Sequence, residues 1–128
     1  TRARSASAFI PYMKALAERA RVVREWQQFL ERVPVVLAPV CTQPVYARGF
    51  DLESTARTAA FWRECSTLTA VPVLGLPALA VPTGVADGLP IGVTLLAARF
   101  REDLCLAAGE AIEARAGMAV RVPLDPVW

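Results

Sequence analysis

The feature that most constrains this chain is the segment 67–99, in which two short apolar runs, 78–81 and 91–98, flank a stretch rich in proline and glycine. Apolar runs of this length are typical of strands buried on both faces, because a half-exposed strand alternates with polar residues. Asp87 and Gly88 supply the positive φ angles of a tight reversal, and Pro82 and Pro90 lie at strand ends, where a missing N–H is tolerated. The segment therefore predicts a central β-hairpin.

A membrane-spanning helix is the alternative for this segment, since residues 65–86 carry no charge. However, Pro72, Pro77 and Pro82 recur every five residues. Each proline in a helix interior costs about 3 kcal/mol. We therefore expect no membrane span and no membrane partner.

Helical periodicity flanks the hairpin on both sides. Apolar residues recur at three- and four-residue steps from an N-cap at Ser5 or Ser7 to Glu31, which predicts an amphipathic helix. Residues 35–38 form a short apolar run, residues 55–69 and 101–117 have helical patterns, and residues 120–122 are strand-like. Strands separated by helices predict an α/β fold with a mixed β-sheet flanked by helices. We expect residues 1–128 to form a single domain or a fragment of a larger one.

The composition restricts the partners. Apolar residues make up 55% of the 128 residues, more than the roughly 45 to 50% usual in soluble domains. This excess indicates faces that are covered either by the rest of a larger enzyme or by another copy in a homo-oligomer. The net charge of +2 is small and spread along the chain, so we expect no nucleic-acid partner.

Missing residue types exclude several kinds of chemistry. The chain has no histidine, which excludes Ser-His-Asp and Cys-His catalysis within it and histidine-ligated zinc. Its three cysteines are too few for a four-thiolate zinc site, and their odd number does not indicate a disulfide framework. We expect no metal and no cofactor. The basic first residues are not followed by the apolar segment of a signal peptide, so a cytoplasmic location is predicted.

Three ordered segments resemble the C-terminal part of the amidase signature family. They are LGLPALAVPTG at 74–84, DGLPIGV at 87–93 and RFREDL at 99–104. Members of that family hydrolyse carboxamides with a serine, a bridging serine and a lysine. The resemblance implies that this chain folds as the C-terminal portion of the amidase signature fold.

The resemblance also implies that the catalytic triad lies upstream of this chain, because the family's nucleophile sits in a Gly-Ser-Ser-Gly-Gly-Ser type of segment. The only lysine is Lys14, and the four serines, Ser5, Ser7, Ser54 and Ser66, lie in no such segment. We therefore assign no catalytic residue within the chain and expect it alone to be inactive.

In the family, the helix before the Gly-Leu-Pro stretch lines the acyl side of the substrate pocket. Carried over by position, substrate binding falls on Trp62, Cys65 and Thr69, which helical spacing places on one face. The alternative is that these side chains are core residues, since tryptophan and cysteine are often buried. Pro72 stands where the family commonly has asparagine. The family pattern therefore does not determine the backbone conformation or the shape of the pocket near Pro72.

The main functional hypothesis is a fragment of an amidase that converts a small carboxamide into a carboxylate and ammonia through an acyl-enzyme on the upstream serine. One alternative is a fragment of the A subunit of glutamyl-tRNA amidotransferase, which would require partner subunits. Another is a non-catalytic α/β module that acts by oligomerisation through its apolar surface. Under the amidase hypothesis, the chain packs against the rest of the amidase and binds a small amide as substrate.

Overall fold

The computed structural model describes residues 2–43 and 46–116, and the predicted strand at 120–122 lies outside them. The elements follow the order helix, strand, two helices, hairpin, helix, with a short 3-10 turn at Phe50–Leu52. The helices are α1 Arg2–Arg32, α2 Thr55–Glu64, α3 Ser66–Leu74 and α4 Glu102–Ala116, and the strands are β1 Val35–Pro39, β2 Ala78–Ala86 and β3 Leu89–Ala97. The predicted α/β architecture is confirmed.

The described strands form one sheet in the order β1-β3-β2, and both strand pairs are antiparallel, so this part of the sheet is not mixed as the sequence predicts. The β2–β3 hairpin turns at Asp87 and Gly88, whose φ angles are 52° and 78°, as their sequence predicts. A register shift between Pro82 and Gly84 marks an irregularity in β2. The predicted hairpin is therefore confirmed, and its second strand lies at the centre of the sheet.

One face of the sheet packs against α4. Val81, Leu95, Ala97 and Cys105 are buried together there. Close approach of the helix depends on Gly109, since a Cβ atom at that position would lie 2.5 Å from Cδ2 of Leu79. This layer forms the more complete half of the core.

The opposite face packs against α1 and α3. Leu30, Leu74 and Leu76 are buried together, and Trp26 packs against them. Arg19 joins the two helices by donating from Nε to the carbonyl oxygen of Val73 at 2.6 Å. The second half of α1 is thereby fixed to α3.

Much apolar surface remains uncovered in the described part of the chain. The first half of α1 exposes a group that we call the α1 apolar row, and Phe9 within it is 61% exposed. On β2, Ala78, Ala80 and Pro82 are exposed, so the predicted burial on both faces is realised only at 94–97 of β3 and not along β2. The α1 apolar row consists of Phe9, Ile10, Tyr12, Met13 and Leu16.

The predicted continuous helix over 55–69 is wrong at Cys65. The backbone there has φ −92° and ψ 22°, which ends α2 and starts α3. The Glu64 carbonyl oxygen accepts instead from the backbone N–H of Thr42 at 3.1 Å and from its hydroxyl at 3.3 Å. A tertiary hydrogen bond has therefore replaced a helical one at the junction.

The helix α3 continues through Pro72, where the sequence alone did not determine the backbone conformation. Pro72 lies two residues before the end of α3, and Gly75 closes the helix in the left-handed conformation at φ 66°. The missing N–H of the proline thus removes a donor near the helix end only.

Candidate functional site

A hollow of about 420 Å³ lies where the loop after β1 and the α2–α3 junction meet the start of β3. We call it the Cys65 hollow. Its size falls in the range of roughly 300 to 1,000 Å³ that is typical of small-molecule sites, and most of its lining is apolar. Its walls are formed by Val40, Cys41, Gln43, Tyr46, Phe61, Cys65, Leu68, Pro90, Ile91 and Gly92.

A line of polar groups runs along one side of the hollow. The Tyr46 hydroxyl donates to Oε2 of Glu64, and its oxygen lies 3.5 Å from Sγ of Cys41. Sγ of Cys65 in turn lies 3.5 Å from Sγ of Cys41. Either atom can donate in the Cys41–Tyr46 contact, and donation from the hydroxyl towards the sulfur stabilises the Cys41 thiolate.

Aromatic packing holds Tyr46 in this position. Its ring centroid lies 4.7 Å from that of Phe50 and 5.4 Å from that of Phe61. The Arg57 guanidinium covers the first of these neighbours, at 4.6 Å from the Phe50 ring centroid. The hydroxyl is therefore directed by contacts from both the 3-10 turn and α2.

The pKa values of the two thiols of the site are shifted in opposite directions. Burial, followed by the hydrogen bond with Cys41, raises the pKa of the Cys65 thiol to about 11. Burial also acts to raise the pKa of Cys41, but hydrogen bonds with Tyr46, the Gln43 backbone and Cys65 outweigh it and lower that pKa. Burial and the bond to Glu64 raise the pKa of Tyr46. Cys41 is therefore the more acidic thiol of the pair.

The three residues predicted from the sequence lie in different surroundings. Cys65 is buried and lines the hollow. Trp62 is 56% exposed and lines a separate, open hollow of about 610 Å³ beside the 3-10 turn. Thr69 is half-buried in α3, and its hydroxyl donates to the Ser66 carbonyl oxygen at 3.0 Å. Trp62 and Cys65 therefore line different hollows, and the Thr69 hydroxyl bonds within α3.

Sequence reasoning missed the residues of the loop after β1. Cys41 and Tyr46 fall in a segment that has no helical or strand periodicity, so spacing gives no sign of their role. Their approach to the α2–α3 junction depends on the Thr42–Glu64 bond, which joins positions far apart in the sequence. The proline and glycine content of the loop is the only local signal.

Neither Lys14 nor Ser54 lines the Cys65 hollow. Lys14 is exposed on α1, and the hydroxyl of Ser54 accepts from the Arg57 N–H at 3.2 Å as the N-cap of α2. Among residues 2–43 and 46–116, no three histidine, cysteine or acidic side chains are grouped to hold a metal ion. No helix in the same ranges is long and apolar enough to span a membrane.

Comparisons with known proteins match most of the chain. Residues 2–106 fit the family model described as Amidase. An indoleacetamide hydrolase from Bradyrhizobium japonicum is 47% identical over 108 residues, which cover 84% of this chain and 23% of that protein. The A subunit of a glutamyl-tRNA(Gln) amidotransferase from Xanthobacter autotrophicus is 34% identical over 119 residues, which cover 91% of this chain and 23% of that protein.

A solved structure shares the fold. The crystal structure of the A subunit of glutamyl-tRNA(Gln) amidotransferase from Thermotoga maritima superposes with a TM-score of 0.70 at 24% identity. The match covers 80% of this chain and 22% of that one. The chain therefore spans less than a quarter of the length of the relatives that it matches.

Proposed function

The chain belongs to the amidase family, and from this premise we propose that it is the C-terminal part of a protein that hydrolyses a carboxamide to a carboxylate and ammonia. The observation that carries the proposal is the family match over residues 2–106. An upstream serine attacks the amide carbonyl, ammonia leaves, and water then releases the carboxylate from the acyl-enzyme. The bridging serine and the lysine that activate the nucleophile are also upstream, so this chain supplies no catalytic residue.

In this proposal the Cys65 hollow forms part of the wall that holds the acyl group of the substrate. Its apolar lining, with Phe61 and Leu68 beside Cys65, suits a planar hydrophobic group. An aryl-acetamide has this shape, and the indoleacetamide hydrolase of Bradyrhizobium japonicum is 47% identical to the chain. We therefore propose an aryl-acetamide as the substrate class.

The other two predicted binding residues have different proposed roles. Trp62 lies 5.9 Å from Phe61 between ring centroids, in an edge-on arrangement, and so contacts the substrate wall from behind. Thr69 binds the Ser66 carbonyl and thereby fixes the first turn of α3, next to the hollow. Direct contact of either side chain with the substrate, as the family resemblance predicts, requires the upstream part of the protein to extend the pocket towards it.

The uncovered apolar surface fits a chain that packs against more protein. The α1 apolar row and the exposed β2 residues Ala78, Ala80 and Pro82 are not covered by other described residues. We propose that the upstream part of the amidase covers them, with another copy in a homo-oligomer as the alternative. A cytoplasmic location belongs to the same proposal, because the three cysteines of the sequence do not indicate a disulfide framework.

A second function is favoured by the similarity to the amidotransferase. The 34% identity over 119 residues supports a fragment of the A subunit of glutamyl-tRNA(Gln) amidotransferase, which would act with partner subunits. The identity to the indoleacetamide hydrolase is higher over a similar length, which favours the stand-alone amidase. A module that acts only by oligomerisation would hydrolyse no amide at all.

Ammonia release by the purified full-length protein separates these functions. We expect release from indole-3-acetamide without any partner protein, and slower release from acetamide. Activity on glutamine only when the other amidotransferase subunits are added would favour the second function. Absence of hydrolysis in both settings would contradict the amidase proposal.

A further inference from the structure

Two cysteines from separate parts of the fold meet at the Cys65 hollow. Cys41 lies in the loop after β1, and Cys65 lies at the α2–α3 junction. Their Sγ atoms are 3.5 Å apart, and both thiols are free. A disulfide bond has an S–S length of about 2.05 Å, so a small movement of either side chain would join the sulfur atoms.

The surroundings of the pair give it access to a small oxidant. Both cysteines line the hollow, and Cys41 is half-buried. The third described thiol, Cys105, is buried 3.7 Å from the Leu95 carbonyl oxygen in the core under α4. The fold therefore provides one paired and accessible dithiol and one shielded cysteine for comparison.

We propose that Cys41 and Cys65 are a reversible redox pair that hydrogen peroxide converts into a disulfide. The Cys41 thiolate attacks one peroxide oxygen, which forms a sulfenic acid and releases the other oxygen as water after protonation. The Cys65 sulfur then attacks the sulfenic sulfur, and the S–O bond breaks as a second water leaves. Two thiols are oxidised, and one peroxide is reduced to two waters.

The order of these steps follows from the contacts. Cys41 is the more acidic thiol, since its hydrogen bonds lower its pKa, while burial raises that of Cys65. The thiolate is the nucleophilic form, so Cys41 reacts first and Cys65 resolves.

The bond would change the hollow. It would tie the loop after β1 covalently to the α2–α3 junction, where Thr42 and Glu64 already meet. If the hollow holds the substrate, which rests on the proposed function, oxidation will slow amide hydrolysis reversibly. Formation of the bond itself does not depend on that function.

The test is peptide mapping by mass spectrometry of the full-length protein after peroxide treatment and alkylation. We expect a cross-linked peptide pair containing Cys41 and Cys65, with the loss of two hydrogen atoms, that disappears on reduction by dithiothreitol. Cys105 should be recovered in its alkylated form. Recovery of Cys41 and Cys65 as separate alkylated peptides, or of Cys41 only as the sulfinic acid, would overturn the proposal.

Variants supply the controls. Cys65→Ser should lose the cross-link and accumulate over-oxidised Cys41, because no resolving thiol remains. Cys105→Ala should retain the cross-link at the wild-type yield. An unchanged cross-link yield at Cys41 in Cys65→Ser would contradict the assigned partner. If the bond forms but hydrolysis is unaffected, the redox pair stands and the placement of substrate in the hollow fails.

Discussion

Arg99 donates from Nη2 to the carbonyl oxygen of Leu74 at 3.0 Å, which joins the segment after β3 to the end of α3. The bond satisfies one of the carbonyl groups that a helix leaves without an intrahelical partner. Gly75 makes the approach possible, since a Cβ atom at that position would lie 2.8 Å from Nη2 of Arg99. One side chain therefore fixes the helix that borders the hollow to the sheet.

Replacing Arg99 with alanine should destabilise the protein by about 1 to 3 kcal/mol, because the buried end of α3 loses a charge-assisted hydrogen bond. Urea denaturation of the full-length protein measures this effect. The matched control is Arg101→Ala, which removes only an exposed pair with Asp103 at 2.9 Å and should leave stability unchanged. Equal losses in the two variants would contradict the assigned role of Arg99.

Glycine at position 92 is required by the close approach of β2. A Cβ atom there would lie 2.7 Å from the Val81 carbonyl oxygen, and a backbone atom cannot easily move away. Gly92→Ala should therefore destabilise the protein by about 1 to 3 kcal/mol through overpacking. At Gly84 an added Cβ would meet Ile91 at an ordinary 3.7 Å, so Gly84→Ala should be tolerated. Thermal unfolding of the two variants measures the difference, and equal losses of stability would contradict the assigned role of Gly92.

The buried hydroxyl of Thr94 has no hydrogen-bond partner among the described residues, and its residue is only 4% exposed. Thr94→Val keeps the β-branched shape and removes the uncompensated polar atom, so we expect a stabilisation of about 1 to 3 kcal/mol. Thr58→Val is the opposite case, because the Thr58 hydroxyl donates to the Asp51 carbonyl oxygen at 2.6 Å. Calorimetry that finds the same sign for both variants would contradict this assignment.

The opposite pKa shifts of the thiols predict different pH dependences of alkylation. The lowered pKa of Cys41 means that its rate with iodoacetamide will level off at a lower pH than that of an ordinary cysteine. Cys65, with a pKa of about 11, should still gain rate as the pH rises towards that value. Site-resolved mass spectrometry measures both rates, and a faster reaction of Cys65 than of Cys41 at neutral pH would refute the assignment.

Local patterns were sufficient to predict the hairpin and the two outer helices, although α1 begins at Arg2 and not at the predicted N-cap Ser5 or Ser7. Asp87 and Gly88 determine the turn through their own backbone preferences, and α4 follows the charge pattern of Glu102 and Asp103 at its start. These features depend on near neighbours in the sequence. They were therefore predictable from the sequence alone.

The candidate site depends on contacts that local patterns do not contain. The break at Cys65 arises because Thr42, far away in the sequence, binds the Glu64 carbonyl oxygen. Cys65 was predicted at a pocket from the family resemblance, whereas its pairing with Cys41 could not be predicted because that residue lies in an aperiodic loop. Substrate binding by Trp62, Cys65 and Thr69 stays a prediction.

The central claim is that the Cys65 hollow holds the acyl group of an aryl amide, and Leu68 gives the most direct test of it. Leu68 lines the hollow and is 48% exposed, so Leu68→Trp would narrow the hollow without disturbing the core. Leu106→Trp is the matched control, because Leu106 is 61% exposed on α4 and does not line the hollow.

The measurement is kcat/KM of the full-length protein for indole-3-acetamide relative to that for acetamide, determined from ammonia release. We predict that Leu68→Trp lowers this ratio by about tenfold or more, equivalent to about 1.4 kcal/mol of lost transition-state stabilisation, while Leu106→Trp leaves it unchanged. A ratio that is the same in wild type and Leu68→Trp would contradict the claim that this hollow receives the substrate.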